Sequence, residues 1–208
     1  MKSAPDNFID ALQSNLAAFA LEFSGETLTQ LKEFYSLLIH WNERLHLVAP
    51  CTPEEFAVRH VLESLLLLNH LPQNARIADV GSGGGLPLIP CLIARKDLEA
   101  TLIESSQKKV VFLREALRVA GRAAQVVARR FEGVETPLVS FVSSRALDQF
   151  MQQLPALFRW APDTSTLLLF GGESLREQLQ QANLNFSEEL IPLSERRFLF
   201  RVTKQNHK

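Results

Sequence analysis

The chain has 208 residues, a formal net charge of −1, 46% hydrophobic and 22% charged residues, the balance of one folded globular unit with at most a small extension. A charge this close to zero excludes a polycation, so any contact with nucleic acid must come from a local patch. The two cysteines, Cys51 and Cys91, form no CxxC pair and no ligand cluster, which predicts a reduced, cytoplasmic setting and no bound metal.

Residues 1–70 carry helix signals only. The N-terminal segment has no basic stretch before an apolar core and is expected not to be a signal peptide. Phe8, Leu12, Leu16, Phe19 and Phe23 recur at helical spacing and predict one apolar face. Thr27 with Gln30 suggests a capping box for a second helix bearing Leu28, Leu31, Tyr35, Leu38 and Trp41. Thr52-Pro53-Glu54-Glu55 is a strong third start: an N-cap, a proline in the first turn, and acids at the positive end of the helix. That helix should run to about Asn69, before Pro72. The longest apolar runs, such as Leu65–Leu68, are too short to span a bilayer.

After Pro72 the period changes. Short apolar runs at 76–80, 100–104, 125–128, 138–143 and 166–170 alternate with helical segments. The clearest of these runs from Ser105 to Ala120, with Ser105 or Ser106 as cap and Gly121 as stop. Such alternation predicts an α/β fold with parallel strands and helices on both faces. Leu190–Leu193 and Phe198–Val202 are separated only by Ser194-Glu195-Arg196-Arg197, a spacing that predicts a hairpin and an antiparallel edge. The division expected is a helical extension, 1–70, packed on a second unit, 71–208, as one compact body.

Chemistry concentrates where Asp79-Val80-Gly81-Ser82-Gly83-Gly84-Gly85-Leu86 follows the first strand. Glycines let the backbone turn tightly and approach a ligand closely. Glu104 ends the second strand, where a carboxylate can accept hydrogen bonds from two ribose hydroxyls. Together these make a nucleoside-binding unit. The dinucleotide pattern GxGxxG requires a third glycine at 86, where this chain has Leu86 followed by Pro87. Asp79 would repel a pyrophosphate but can hold an ammonium group directly or through water. Both features favour S-adenosylmethionine, a nucleoside with an amino-acid tail, over a nicotinamide dinucleotide. An oxidoreductase using the same loop is the competing enzyme class.

Several stretches resemble one family. They are His40-Trp41-Asn42, Pro53-Glu54-Glu55, Val58-Arg59-His60, Glu63-Ser64, Asp79 through Pro87, Ile89-Pro90, Lys108-Lys109-Val110, Phe112-Leu113-Arg114, Arg130, Glu132 and Ser144-Arg145-Ala146. From about Leu31 to Gly172 the chain is similar to the bacterial small-subunit ribosomal RNA methyltransferase G family, also called glucose-inhibited division protein B. The resemblance implies a class I S-adenosylmethionine-dependent methyltransferase fold with an N-terminal helical extension. It implies methyl transfer to N7 of a guanine in 16S ribosomal RNA. It also implies cofactor contacts at Gly81, Leu86, Phe131, Glu132 and Arg145, beside the Asp79, Gly83 and Glu104 read from the residues themselves. A monomer is expected, and the short apolar runs predict no membrane partner. Strand ends are where ligands of open α/β sheets bind, and Phe131 can pack on an adenine face.

Guanine N7 carries a lone pair and no proton, so the reaction needs alignment and no general base. Arg145 is the first candidate for positioning the base through its O6 acceptor; an ion pair with a structural carboxylate is the competing role. His60 either faces the site or is structural. Between Lys108 and Arg130 there are seven basic residues and one acid, Glu115. Arg114, Arg118 and Arg122 are four apart and are expected on one helix face. With Arg59 and Arg130 they are the candidate RNA contacts, against a merely solvated face.

The chain departs from the family pattern at His46 and Val48, where Asn and Thr are usual, at Ser140, where Asp is usual, at Leu88, usually Gly, and at Gly171, usually Lys. These departures leave open a diverged methyltransferase with another RNA substrate. A non-catalytic RNA-binding or ribosome-assembly protein would bind RNA without transferring a methyl group.

Overall fold

The computed structural model describes residues 2–145 and 150–204; Ala146, the last residue of the Ser144-Arg145-Ala146 stretch, lies outside them. Helices α1 (Ala4–Asn15) and α2 (Gly25–Leu45) come first. A continuous helical stretch follows, made of α3 (Pro53–Phe56), a π-helical turn (Ala57–Leu62), α4 (Glu63–Leu65) and a 3-10 turn (Leu66–His70). Then come β1 (Arg76–Val80), α5 (Leu88–Ala94), β2 (Glu99–Ile103), α6 (Gln107–Val119) and β3 (Gln125–Val127). The chain continues with β4 (Phe141–Arg145), α7 (Phe150–Trp160), β5 (Thr166–Gly171), α8 (Glu173–Gln181), β6 (Asn185–Leu190) and β7 (Phe198–Thr203).

The strands form one sheet in the order β3-β2-β1-β4-β5-β7-β6. Pairings among β1 to β5 are parallel, and β7 runs antiparallel to both β5 and β6. The strand order reverses between β1 and β4, which opens a crevice at their carboxyl ends.

Alternation along the strands divides the interior into two layers. Ile77, Leu102 and Leu168 face a core shared with α1, α2, α5 and α6. Ala78, Val80, Ile103, Val142, Leu167 and Leu169 face a second core with α7 and α8. The N-terminal helices are therefore part of the first layer. Phe8 stacks on Tyr35 with ring centroids 4.4 Å apart, and Phe56 meets Tyr35 edge-on at 5.0 Å. Aromatic pairs of this geometry add about 0.5–1.5 kcal/mol beyond the area they bury.

The predicted third start is correct: the Thr52 hydroxyl accepts from the Glu55 N–H, and Pro53 opens α3. The cap of α2 is different from the expected one. Ser24 accepts from the Thr27 N–H, so α2 starts three residues before the Thr27–Gln30 box. Ser106, one of the two residues named, caps α6, and Gly121 takes a positive φ of 62° after it. Phe23 falls beyond the first helix, which ends in a 3-10 turn at Leu16–Phe19. The fourth strand begins at Phe141, with Leu138 exposed before it.

The hairpin exists, but its first strand is Asn185–Leu190 instead of Leu190–Leu193. This strand lies at the sheet edge and is largely exposed, so it lacks the apolar run by which a buried strand is recognised. The Ile191–Leu193 segment turns instead, with Leu193 at φ 59°.

Candidate active site

A pocket of about 460 Å³ opens at the carboxyl ends of β1, β2 and β4. Its floor is the glycine loop. Gly81 and Ser82 N–H groups both bond the Ile103 carbonyl at the tip of β2, at 2.9 and 3.2 Å. At Gly85 the φ is 75°, and an added Cβ would overlap the Ile89 side chain. Only glycine lets α5 approach the loop this closely. Pro87 stands at the N-cap of α5 and Leu88 opens it, buried in the first core.

Glu104 sets the loop as well as facing the cavity. One oxygen accepts from Gly83 N–H at 2.9 Å, and the other from Ser106 N–H at 2.7 Å. Each carboxylate oxygen keeps acceptor capacity after one such bond. The acid therefore fixes the glycine loop and the start of α6 while still offering lone pairs to a ligand.

Asp79 is 1% exposed and sits beneath the loop, outside the residues that line the cavity. Its Oδ1 accepts from the Ser143 hydroxyl at 2.7 Å, while Oδ2 has no protein partner. Burial pushes its carboxyl up to about 7; Ser143 and Ser82 oppose this, and the nearby Glu104 adds to it.

Gly81, Gly83, Leu86, Glu104, Phe131, Glu132, Arg145, His60 and Arg130 all line the pocket. Phe131 is buried against Trp160, with centroids 5.8 Å apart and rings at 78°. Glu132 and Arg130 are both exposed and paired at 3.4 Å.

Arg145 and His60 form one wall of the pocket. The guanidinium donates to His60 O at 3.3 Å, Ser64 Oγ at 3.2 Å, Glu63 Oε2 at 3.2 Å and Arg59 O. It also lies 5.4 Å from the centre of the Phe170 ring. The competing reading of Arg145, an ion pair with a structural carboxylate, is thus met by Glu63. The same guanidinium also lines the cavity. Burial lowers the Arg145 pKa against the pull of Glu63. For His60, burial and then the guanidinium charges of Arg145, Arg59 and Arg197 push the pKa down to about 3. The imidazole is therefore neutral at physiological pH, and its ring packs 5.0 Å from that of Phe56.

The expected basic helix face is shorter than its spacing suggests. Arg114 and Arg118 are exposed on α6, but Arg122 lies past its end. Arg122 donates to the carbonyls of Leu92 at 2.7 Å and Ile93 at 3.1 Å, and to Gln30 Oε1 at 3.2 Å. It satisfies carbonyls at the C-terminal end of α5, which no helical N–H reaches. Arg59, exposed, pairs with Glu55.

Sequence reasoning missed the lip formed by Leu47, Val48 and Ala49, together with Gln153 on the pocket wall; Lys109 and Arg129, counted among the seven basic residues between Lys108 and Arg130, also line the pocket. The lip is held by Asn42, whose amide accepts from Val48 N–H at 2.9 Å and donates to Val48 O at 3.1 Å. Trp41 beside it donates to Glu115 on α6 at 3.1 Å. The Trp-Asn pair was the available signal, and its purpose is to tie α2 and the lip to the sheet unit.

Most departures from the family pattern fall away from the pocket. His46 takes a left-handed φ of 49° at the C-cap of α2. Ser140 sits at the opposite end of β4, bridging Arg76 O and Thr166 N. Gly171 packs under α8, where a Cβ would come within 2.5 Å of Leu175. Among the departures named, Val48 alone reaches the cavity.

A family profile described as rRNA small subunit methyltransferase G matches residues 27–201. The chain belongs to the rRNA small subunit methyltransferase G family. It is 35% identical over 175 residues to "Ribosomal RNA small subunit methyltransferase G" of Gluconobacter oxydans, covering 81% of this chain and 88% of that protein. The Chromobacterium violaceum protein of the same name is 38% identical over 144 residues, 68% of each chain. Among solved structures, a ribosomal protein L11 methylase from Lactobacillus delbrueckii subsp. bulgaricus aligns with TM-score 0.58 at 12% identity, over 71% of this chain and 79% of that one. A SAM-dependent methyltransferase from Aquifex aeolicus aligns with TM-score 0.56 at 16% identity, over 71% and 92%. These distant matches establish the fold: a class I methyltransferase with an N-terminal helical extension.

Among the described residues no helix is long and apolar enough to cross a membrane. No group of three or more His, Cys, Asp or Glu among them could hold a metal ion.

Proposed function

We propose that this protein transfers a methyl group from S-adenosylmethionine to N7 of a guanine in small-subunit (16S) ribosomal RNA. The observation that carries the reading is the crevice between β1 and β4, with its glycine loop fixed on Glu104. The residues present fit the cofactor. Glu104 offers acceptors for a ribose diol, and Phe131 an aromatic surface for adenine. The unpartnered Oδ2 of Asp79 lies beneath the loop, where an ammonium group above it would supply the missing charge. Gly81, Gly83 and Leu86 let a ligand approach the backbone, and Glu132 and Arg145 close the remaining sides.

When bound, S-adenosylmethionine supplies an electrophilic methyl group and its own thioether leaving group. The protein's residues have no proton to remove, since guanine N7 has none. Their work is alignment and exclusion of water. Arg145 and the neutral His60 present a rigid wall, and the Leu47–Ala49 lip adds its own residues to the lining. Arg59, Arg114, Arg118 and Arg130 are the cations we assign to RNA phosphates. Lys109 and Arg129 join them at the pocket. We read the 1–70 extension and the 71–208 unit as one compact body, a reading that their shared apolar core supports. We read the chain as a cytoplasmic monomer; the free thiols of Cys51 and Cys91 support the reduced compartment, and size-exclusion chromatography with light scattering checks the monomer.

The deciding experiment measures incorporation of labelled methyl from S-adenosylmethionine into small-subunit RNA, naked and assembled, with mass mapping of the product. Methyl on guanine N7 is the expected result. Methyl on adenine N6 or on protein would overturn the assignment. RNA binding without incorporation would favour an assembly factor, and binding of NADH alone an oxidoreductase.

A further inference from the structure

Glu63 lies outside the pocket lining, yet three distant segments meet on it. It is 1% exposed. Its Oε1 accepts from Arg197 Nε at 2.9 Å and Nη2 at 2.6 Å. Its Oε2 accepts from Arg145 Nη2 at 3.2 Å. Glu63 belongs to the helical extension, Arg145 to the tip of β4, and Arg197 to the connection between β6 and β7.

The backbone around Glu63 serves the same guanidinium. The π-helical turn Ala57–Leu62 ends immediately before it, and such turns widen the helix locally. The carbonyls of Arg59 and His60 within this turn accept from Arg145. Ser64, the residue after Glu63, donates its hydroxyl to His60 O and accepts from Arg145 Nη1. One turn of helix therefore holds both members of the Arg145–His60 wall.

A buried carboxylate between two guanidiniums is a poor way to gain stability. Desolvating the charges costs about as much as their attraction returns, and apolar replacements often do as well. What the arrangement does provide is direction: Arg197 grips Oε1 with two charge-assisted N–H bonds, which leaves Oε2 for Arg145, so each oxygen is tied to one guanidinium. We propose that Glu63 is a positioning residue for methyl transfer, acting through Arg145, with Arg197 as the clamp that orients Glu63. The proposal rests on the reading of this pocket as the methyl-transfer site. It links the extension and the C-terminal hairpin to the reacting base.

The test compares wild type with Glu63→Gln and with the double variant Glu63→Gln/Arg197→Gln, which leaves the net charge of the cluster unchanged. Thermal unfolding, dissociation constants for S-adenosylmethionine, and kcat and KM on small-subunit RNA are measured for each. Glu63→Gln should lower kcat at least tenfold while the cofactor dissociation constant changes less than threefold. The double variant should regain stability relative to Glu63→Gln and keep the kcat loss. Wild-type kcat in either variant, or kcat recovering in step with stability, would overturn the proposal. If Glu63→Gln fails to fold, the double variant decides alone by the same kcat criterion. A wild-type protein that binds no cofactor and transfers no methyl would refute the reading of the pocket, a result distinct from equal activity in wild type and variants.

Discussion

Replacing Asp79 by Asn removes a buried carboxyl from beneath the glycine loop while keeping an oxygen for the Ser143 hydroxyl. In the folded protein the carboxyl titrates near 7, against 3.8 in a solvated chain. Three units correspond to about 4 kcal/mol at about 1.36 kcal/mol per unit, a ceiling that water penetration would reduce. The sign follows from proton counts. Between pH 4 and 7 the folded state keeps a proton that the unfolded state has released, so stability falls as pH rises. Above 7 both states are ionised and the full penalty persists. Urea unfolding of both proteins from pH 4 to 8 isolates the term, since all other titrations cancel in the difference. Wild type should lose stability relative to Asp79→Asn across this window, with a total of up to about 4 kcal/mol. Parallel curves would refute the buried-acid argument. A cationic ligand group above Asp79 favours the ionised form, so cofactor affinity of wild type should rise with pH up to about 7 and that of Asp79→Asn should not.

Glu104→Ala should weaken S-adenosylmethionine binding by at least tenfold in calorimetry, because it removes ribose acceptors and also releases Gly83 and Ser106. Arg122→Ala should cost about 1–3 kcal/mol in unfolding by stranding carbonyls of α5, and leave the salt dependence of RNA binding unchanged. Arg114→Ala and Arg118→Ala should do the reverse, each lowering the salt slope of RNA affinity by about 0.7–0.9 with stability nearly constant. Asn42→Ala should free the Val48 lip, destabilising the fold by about 1–3 kcal/mol and raising KM for RNA; unchanged KM would separate the lip from substrate binding.

Local signals sufficed wherever one segment carries its own instructions. The glycine loop between Asp79 and Leu86 announces a tight turn because few other residues tolerate its backbone. Glu104, one βα unit later, stands out by position alone, and the structure places it against the loop through Gly83 N–H. Caps at Thr52 and Ser106 and the stop at Gly121 are equally local, since each satisfies backbone groups within a few residues. Failures came where the neighbour is remote or the environment solvent. The edge strand Asn185–Leu190 has no buried face to declare, and the Arg114-Arg118-Arg122 spacing says nothing of where α6 ends.

The sequence by itself determined the fold class and the cofactor loop, because period, glycine placement and strand-end acids are written in consecutive residues. Only the tertiary structure decided the chemistry of Arg145 and His60. Burial shifts both groups first, then Glu63 and Arg197 act on Arg145 and the guanidiniums of Arg145, Arg59 and Arg197 act on His60; Glu63 lies 82 residues before Arg145 and Arg197 134 residues beyond Glu63. Burial and Coulomb interaction act through space, and no spacing along the chain encodes them.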